Sequence, residues 1–292
     1  MPRGVIPRQP ARTGRQDKVP TTRISSPAKP SGKQIRQPFG APAAQRPIAK
    51  DSGAPKRKPG PVKAAKGYNP VAPERIAEIL QRLDQLYPDV TCALTHSSAW
   101  ELVVATILSA QSTDVNVNRV TPGLFRKYPT VADFAALTPE QLEPDVRSTG
   151  FFRNKSKSVV GAAKRIVSDF GGQVPDTMED LLTLPGVARK TANVVLGTWF
   201  KKAEGVVVDT HVHRISRRLE LTTEDDPQKI EQDLMKVIPR ERWILFAHQI
   251  IWHGRKLCIA RKPKCAECAL ENICHAEDKT WSTVETHKGA RG

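Results

Sequence analysis

The sequence predicts an all-α protein. Apolar residues recur at spacings of three and four from Ile76 onward, and Ser98 with Glu101 and Thr138 with Gln141 have the spacing of helix capping boxes. The best strand candidate, Val206 to Val208, is isolated and has no partner of period-two alternation, so no sheet is expected. With 292 residues the chain has room for one large core or two smaller ones.

The leading segment predicts no element. Residues 1–70 hold 16 of the 46 Lys and Arg against Asp17 and Asp51 alone, together with 13 of the 24 prolines. Without apolar runs it buries too little surface to offset its ordering entropy, so residues 1–69 are expected to form a disordered, basic, Pro-rich tail. A solvated linker fits that composition, and so does salt-sensitive attachment to polyanions, because Lys and Arg facing phosphates release counterions. No window is long and apolar enough for a membrane span, and no secretory signal opens the chain. The dense prolines disfavour the amphipathic helix of a mitochondrial leader, although organelle import stays open.

Helical elements follow in order. Ile76, Ile79, Leu80, Leu83 and Leu86 share one face between Pro73, suited to a first turn, and Pro88, which ends the helix. Ser98 and Glu101 open a second helix at the apolar run 102–108, and Thr138 and Gln141 open another before Leu142. A stripe of Val159, Val160, Ala163, Ile166 and Val167 predicts a helix over 154–170. Further helices are expected at 177–183, 188–199, 210–219, 227–237 and 241–253.

Three segments carry chemistry. In Leu184-Pro185-Gly186-Val187-Ala188-Arg189-Lys190-Thr191-Ala192 a Pro-Gly turn joins two helical patterns. Such a turn leaves backbone amides free at a helix N-terminus, where an anion such as a nucleic-acid phosphate fits, and it also serves as an ordinary tight connection. Lys190 falls in the first helical turn, the end of the dipole at which positive charge is disfavoured, and a nucleophilic lysine must be neutral. In Val206 to Arg214, Asp209 stands where an N-cap is expected and its fixed carboxylate is also suited to proton relay or to stabilising a cationic sugar. His211 and His213, two apart on a helix, do not share a face and read as structural.

The third segment is Cys258, Cys265, Cys268 and Cys274 in the pattern C-x6-C-x2-C-x5-C, with Cys92 as the only other cysteine. Four thiolates so close read as one sulfur site for zinc or an iron-sulfur cluster, and the spacing alone does not choose between them. Arg261, Lys262 and Lys264 between the first two cysteines form a basic loop, either solvated or in contact with phosphate.

Taken in order, these segments resemble the endonuclease III branch of the helix-hairpin-helix DNA glycosylases over about residues 70–280. The matching stretches are Leu108-Ser109-Ala110-Gln111-Ser112-Thr113-Asp114, the hairpin at 184–192, Val208-Asp209-Thr210-His211, His253-Gly254-Arg255 and the four cysteines. The resemblance implies a monomeric bifunctional enzyme acting on double-stranded DNA, removing oxidised pyrimidines and cutting at abasic sites, in the cytoplasm or on the nucleoid. It implies a six-helix domain with the hairpin at 92–202, a cluster domain built from 70–91 and 203–280, and a C-terminal tail at 281–292. Lys190 resembles the amine that attacks the sugar, Asp209 the assisting carboxylate, Gln111 the polar plug and Phe151 the apolar wedge of base extrusion. Gly186 and Ala188 would contact phosphate through the hairpin, and the four cysteines would hold a 4Fe-4S cluster supporting the basic loop.

Two positions depart from that pattern: Phe151 stands where Leu is common, and Ala188 where Gly is common. A larger ring stacks more extensively on the opposite base, with consequences for opposite-base preference. Alanine restricts the backbone, so a longer or weaker phosphate contact is expected through the hairpin. Either Phe151 or Phe152 also suits a core position. The rival readings are an adenine or mismatch glycosylase without lyase activity, against which Lys190 and the short C-terminus count, a noncatalytic DNA-binding scaffold, and a ferredoxin-like carrier.

Overall fold

The computed structural model describes residues 68–280, and among them every regular element is helical. The predicted tails at 1–69, save Tyr68 and Asn69, and at 281–292 lie outside the described residues.

Helix α1 (Pro73–Leu86) begins on Pro73, whose missing amide costs nothing in a first turn, and buries Ile76, Ile79, Leu80 and Leu83. Helix α2 (Ala99–Ser109) is capped by Ser98, whose hydroxyl accepts the Glu101 amide at 3.1 Å. The Glu101 carboxylate turns to the Ser97 amide instead of closing the box on Ser98. Helix α3 (Asp114–Lys127) contains Pro122, a residue that reads as a breaker; burial of Val117, Thr121 and Leu124 on the same face outweighs it. Helix α4 (Val131–Ala136) has a full capping box from Thr130 and Asp133, and α5 (Pro139–Val146) has the expected one from Thr138 and Gln141. Then come α6 (Phe152–Phe170), α7 (Met178–Leu182), α8 (Arg189–Thr198), α9 (Thr210–Arg218), α10 (Pro227–Val237) and α11 (Trp243–Lys256).

These helices enclose two hydrophobic cores. The first is filled by side chains of α2 to α8, among them Leu102, Leu108, Phe134, Leu142, Ile166 and Leu196, all fully buried. The second joins α1 to α9, α10 and α11 through Leu83, Ile215, Ile230, Phe246 and Ile250. The chain passes from one to the other through 201–208, where Val206 is buried in the second core with Val207 and Val208 packed beside it. That run forms no strand, and no strand exists among the described residues for it to pair with.

Among the described residues, polar side-chain bonds link the helices of the first core to those of the second at two places. Arg255 of α11 donates to Asp114 at the start of α3 at 2.6 Å. Arg189 at the start of α8 donates from Nε and Nη2 to Glu231 of α10 at 2.8 and 3.1 Å. Lys190, the candidate amine, is next in the chain to Arg189 of the second tie.

Candidate active site

The hairpin between α7 and α8 is shaped by Gly186, whose φ of 79° is readily available only to glycine. Space demands glycine as well: a Cβ here would fall 2.5 Å from the Ser158 Cβ on α6. Leu184 and Val187 are buried on either side and hold the turn against the first core. Ala188 caps α8 with φ −91° and ψ 170°, extended backbone that alanine adopts freely. The conformational restriction expected from Ala188 therefore costs nothing, since the positive φ in this turn belongs to Gly186. No side chain caps α8, so its first-turn amides keep their donors for an anion.

Lys190 occupies the first turn of α8, exposed, and its amine has no hydrogen bond or ion pair among the described residues. Its neighbour Arg189 is the residue bound to Glu231. Asp209 caps α9 as expected, its Oδ1 accepting the His211 and Val212 amides at 2.8 Å each. Oδ2 has no bonded partner among the described residues, so one carboxylate oxygen fixes the direction of the group and the other is free to act. The segment leading to Asp209 runs against α8: the position of a Cβ on Gly205 is 2.8 Å from the Asn193 Nδ2 and closer still to the Glu231 Oε1. Asn193, one turn beyond Lys190, donates to the same Glu231 oxygen at 2.8 Å. Glu231 thus bonds the helix that carries Lys190 and lies close against Gly205 in the segment that leads to Asp209.

Both histidines make contacts within the protein. His211 packs against Gly254 and meets Arg214 at 3.2 Å, and burial draws its pKa down. His213 turns to the Asp225 carbonyl at 3.2 Å.

Gln111 and Phe151 share an unusual backbone state, with φ of 53° and 48° in the left-handed region. Both side chains are exposed, Phe151 at 62% despite its apolar ring. Phe152 instead packs on the first core, with the guanidinium groups of Arg147 and Arg153 over its ring, so Phe152 is the core aromatic of the pair.

Cys258, Cys265, Cys268 and Cys274 are free thiols lining one cavity between the second core and the loops after α11. Among the described residues no three potential ligands converge closely enough to hold a single ion. The donors suit thiolates: Arg218 Nη1 lies 3.2 Å from the Cys258 sulfur, the Thr280 amide 3.4 Å from that of Cys265, and His253 Nε2 3.5 Å from that of Cys268. His253 is buried, which lowers its pKa to about 4 and keeps it neutral at physiological pH. Arg261, Lys262 and Lys264 are exposed on the loop between the first two cysteines, with no ion-pair partner among the described residues.

Residues 104–240 match the family model for the HhH-GPD superfamily base excision DNA repair proteins. Over 201 residues the chain is 54% identical to endonuclease III of Synechocystis sp., covering 69% of this chain and 92% of that protein. The chain belongs to the endonuclease III family. It is likewise 42% identical to endonuclease III of Bacillus subtilis over 207 residues, 70% of this chain and 94% of that protein. Among solved structures it resembles a non-covalent endonuclease III–DNA complex with a TM-score of 0.67 and 39% identity, covering 76% of this chain and 99% of that one. A trapped endonuclease III–DNA covalent intermediate matches with a TM-score of 0.67 and 38% identity, over 75% and 98% of the two chains.

In this endonuclease III family member, sequence reasoning missed Glu231, Asn193 and the role of Arg189. The one signal was Glu231 itself, a carboxylate three residues from Leu234 on the buried face of α10. Its side chain is 7% exposed and that of Arg189 40%. Arg189→Ala leaves the Glu231 carboxylate with only its bond from Asn193 and is expected to lower stability by about 1–2 kcal/mol. Glu231→Gln should cost less, because Arg189 can turn to water. Urea unfolding midpoints check the order, and equal midpoints for wild type and Arg189→Ala would contradict it.

Proposed function

We propose that Lys190 and Asp209 carry the base-excision chemistry of this family member, a DNA glycosylase with abasic-site lyase activity. In this reading the Lys190 amine attacks C1′ of the extruded nucleotide and the glycosidic bond breaks, with Asp209 assisting departure of the base. The resulting aminal opens as its C1′–O4′ bond breaks and O4′ takes a proton, leaving a protonated imine at C1′ that acidifies the adjacent C2′–H. Loss of that proton and β-elimination break the bond to the 3′ phosphate. The observation that carries the proposal is Lys190, an exposed amine without a partner among the described residues, on a helix N-terminus with no side-chain cap, whose helix is bonded to Glu231 while Glu231 lies close against Gly205 in the segment leading to Asp209.

The substrate proposed is duplex DNA bearing an oxidised pyrimidine or an abasic site. Gln111 and Phe151 would enter the stack, since extruding a base costs a few kcal/mol that a plug and a wedge help to offset. The hairpin turn at Gly186 and Ala188 would hold phosphate, with Arg261, Lys262 and Lys264 supplying further backbone contacts. The domains proposed follow the two cores, with 92–202 around the first and 70–91 with 203–280 around the second. The basic tail at 1–69 is proposed to add salt-sensitive attraction.

Cys258, Cys265, Cys268 and Cys274 would hold a 4Fe-4S cluster. When bound, the cluster supplies iron–thiolate cross-links that fix the basic loop on the second core. Absorbance near 400 nm with about four irons per chain is expected. Stoichiometric zinc without that band would overturn the assignment.

The activity is tested by strand nicking on a duplex containing thymine glycol, with an abasic duplex as control. Cleavage of both is expected. Release of adenine without nicking would favour a monofunctional glycosylase, and binding without any product a scaffold.

A further inference from the structure

The first core contains a buried charge that the chemistry above does not use. Lys155, on the first turn of α6, is only 4% exposed and has no carboxylate partner among the described residues. Its ammonium donates to two backbone carbonyls, that of Leu108 at 2.8 Å and that of Thr149 at 2.7 Å. Leu108 lies in the last turn of α2, where carbonyls lack partners within the helix and the dipole is negative. Thr149 ends the 3-10 turn Arg147–Thr149. Three residues after Leu108 stands Gln111, and two after Thr149 stands Phe151. These loops, 40 residues apart in the chain, are therefore held by one nitrogen. A second tie runs alongside: Asn116 Nδ2 of α3 donates to the Ser112 hydroxyl at 3.2 Å and to the Ser148 carbonyl at 2.9 Å.

Both loops also carry a cost. Left-handed backbone at a residue other than glycine is disfavoured by about 1–2 kcal/mol, and here it occurs once in each loop, at the residue displayed to solvent. An apolar ring at Phe151 adds to that cost by facing water. Such conformations persist only where surrounding contacts over-determine them. The contacts that do so are the carbonyl ties from Lys155 and Asn116.

We propose that Lys155, seconded by Asn116, is a positioning residue that locks the Gln111 and Phe151 loops together, so that plug and wedge are presented as one preformed tool for extruding a paired base. This rests on the assignment of Gln111 and Phe151 to base extrusion. Lys155 is buried with its amine bonded to backbone carbonyls; it acts by removing the loop ordering that would otherwise accompany each extrusion.

The test compares two single-turnover rates in the same variant: excision of thymine glycol from a fully paired duplex, and cleavage of a preformed abasic site, where there is no base to unstack. Lys155→Met keeps the aliphatic stem and removes the donors. It is expected to lower the ratio of the first rate to the second by about tenfold, equivalent to 1.4 kcal/mol of lost extrusion. The fluorescence rise of 2-aminopurine placed beside the lesion should slow in parallel. An unchanged ratio, with both rates kept or both reduced equally, would overturn the proposal and leave Lys155 an ordinary structural lysine. Should Lys155→Met fail to fold, Asn116→Ala removes the second tie, with a smaller fall in the same ratio expected and an unchanged ratio decisive against. Wild-type protein inactive on both substrates would instead indict the assigned activity, so the two failures are distinguishable.

Discussion

Lys190→Gln abolishes borohydride trapping on damaged duplex and, with it, strand cleavage. Reduction captures an imine, and an imine needs a primary amine at the sugar; the glutamine amide supplies none. The substitution is mild for the fold, because the Lys190 side chain is exposed and bonded to nothing among the described residues. The ties of Arg189 and Asn193 to Glu231, which hold α8 in place, remain intact. Binding of damaged duplex should persist within a few fold, since one exposed charge among several phosphate contacts contributes little. Undiminished trapping by Lys190→Gln, measured by the gel-shifted covalent adduct, would remove Lys190 from the reaction.

Asp209→Asn separates two duties of one side chain. Oδ1 caps α9 by accepting two amides, and asparagine caps about as well, so stability should change by less than about 1 kcal/mol. The negative charge, exercised through the otherwise unbonded Oδ2, is lost. General acid–base assistance contributes about 10²- to 10⁴-fold, so the single-turnover rate of base excision should fall within that range while damaged duplex still binds. Asp209→Ala would lose the cap as well, and the contrast in melting temperature between the two variants tells the duties apart. A normal single-turnover rate for Asp209→Asn would show that the carboxylate is only a cap.

The parts of this molecule legible from sequence are those whose cause is local. Pro73 at a helix start, the Ser98 and Thr138 caps and the Asp209 cap follow from backbone groups within three residues, and the four cysteines are close in the chain. Helix α3 is absent from the helices expected from sequence; it contains Pro122 in its interior, and it buries Val117, Thr121 and Leu124 in a core assembled from distant helices. Phe151 and Phe152 could not be told apart locally. Their fates are set by the left-handed turn at Phe151, which turns one ring outward and the next inward. Glu231 and Lys155 were invisible as site residues for the same reason. Their partners are 42 residues away for Arg189 and 47 for Leu108, and neither separation leaves a periodic trace.

The central claim is that one particular amine makes the bond to the sugar. Its most direct test is proteolysis and mass-spectrometric mapping of the borohydride-trapped wild-type adduct on thymine glycol duplex. The expected result is a single modified peptide carrying the reduced nucleotide on Lys190. A nucleotide found on the N-terminal amine, on Lys201 or on any other lysine would contradict it.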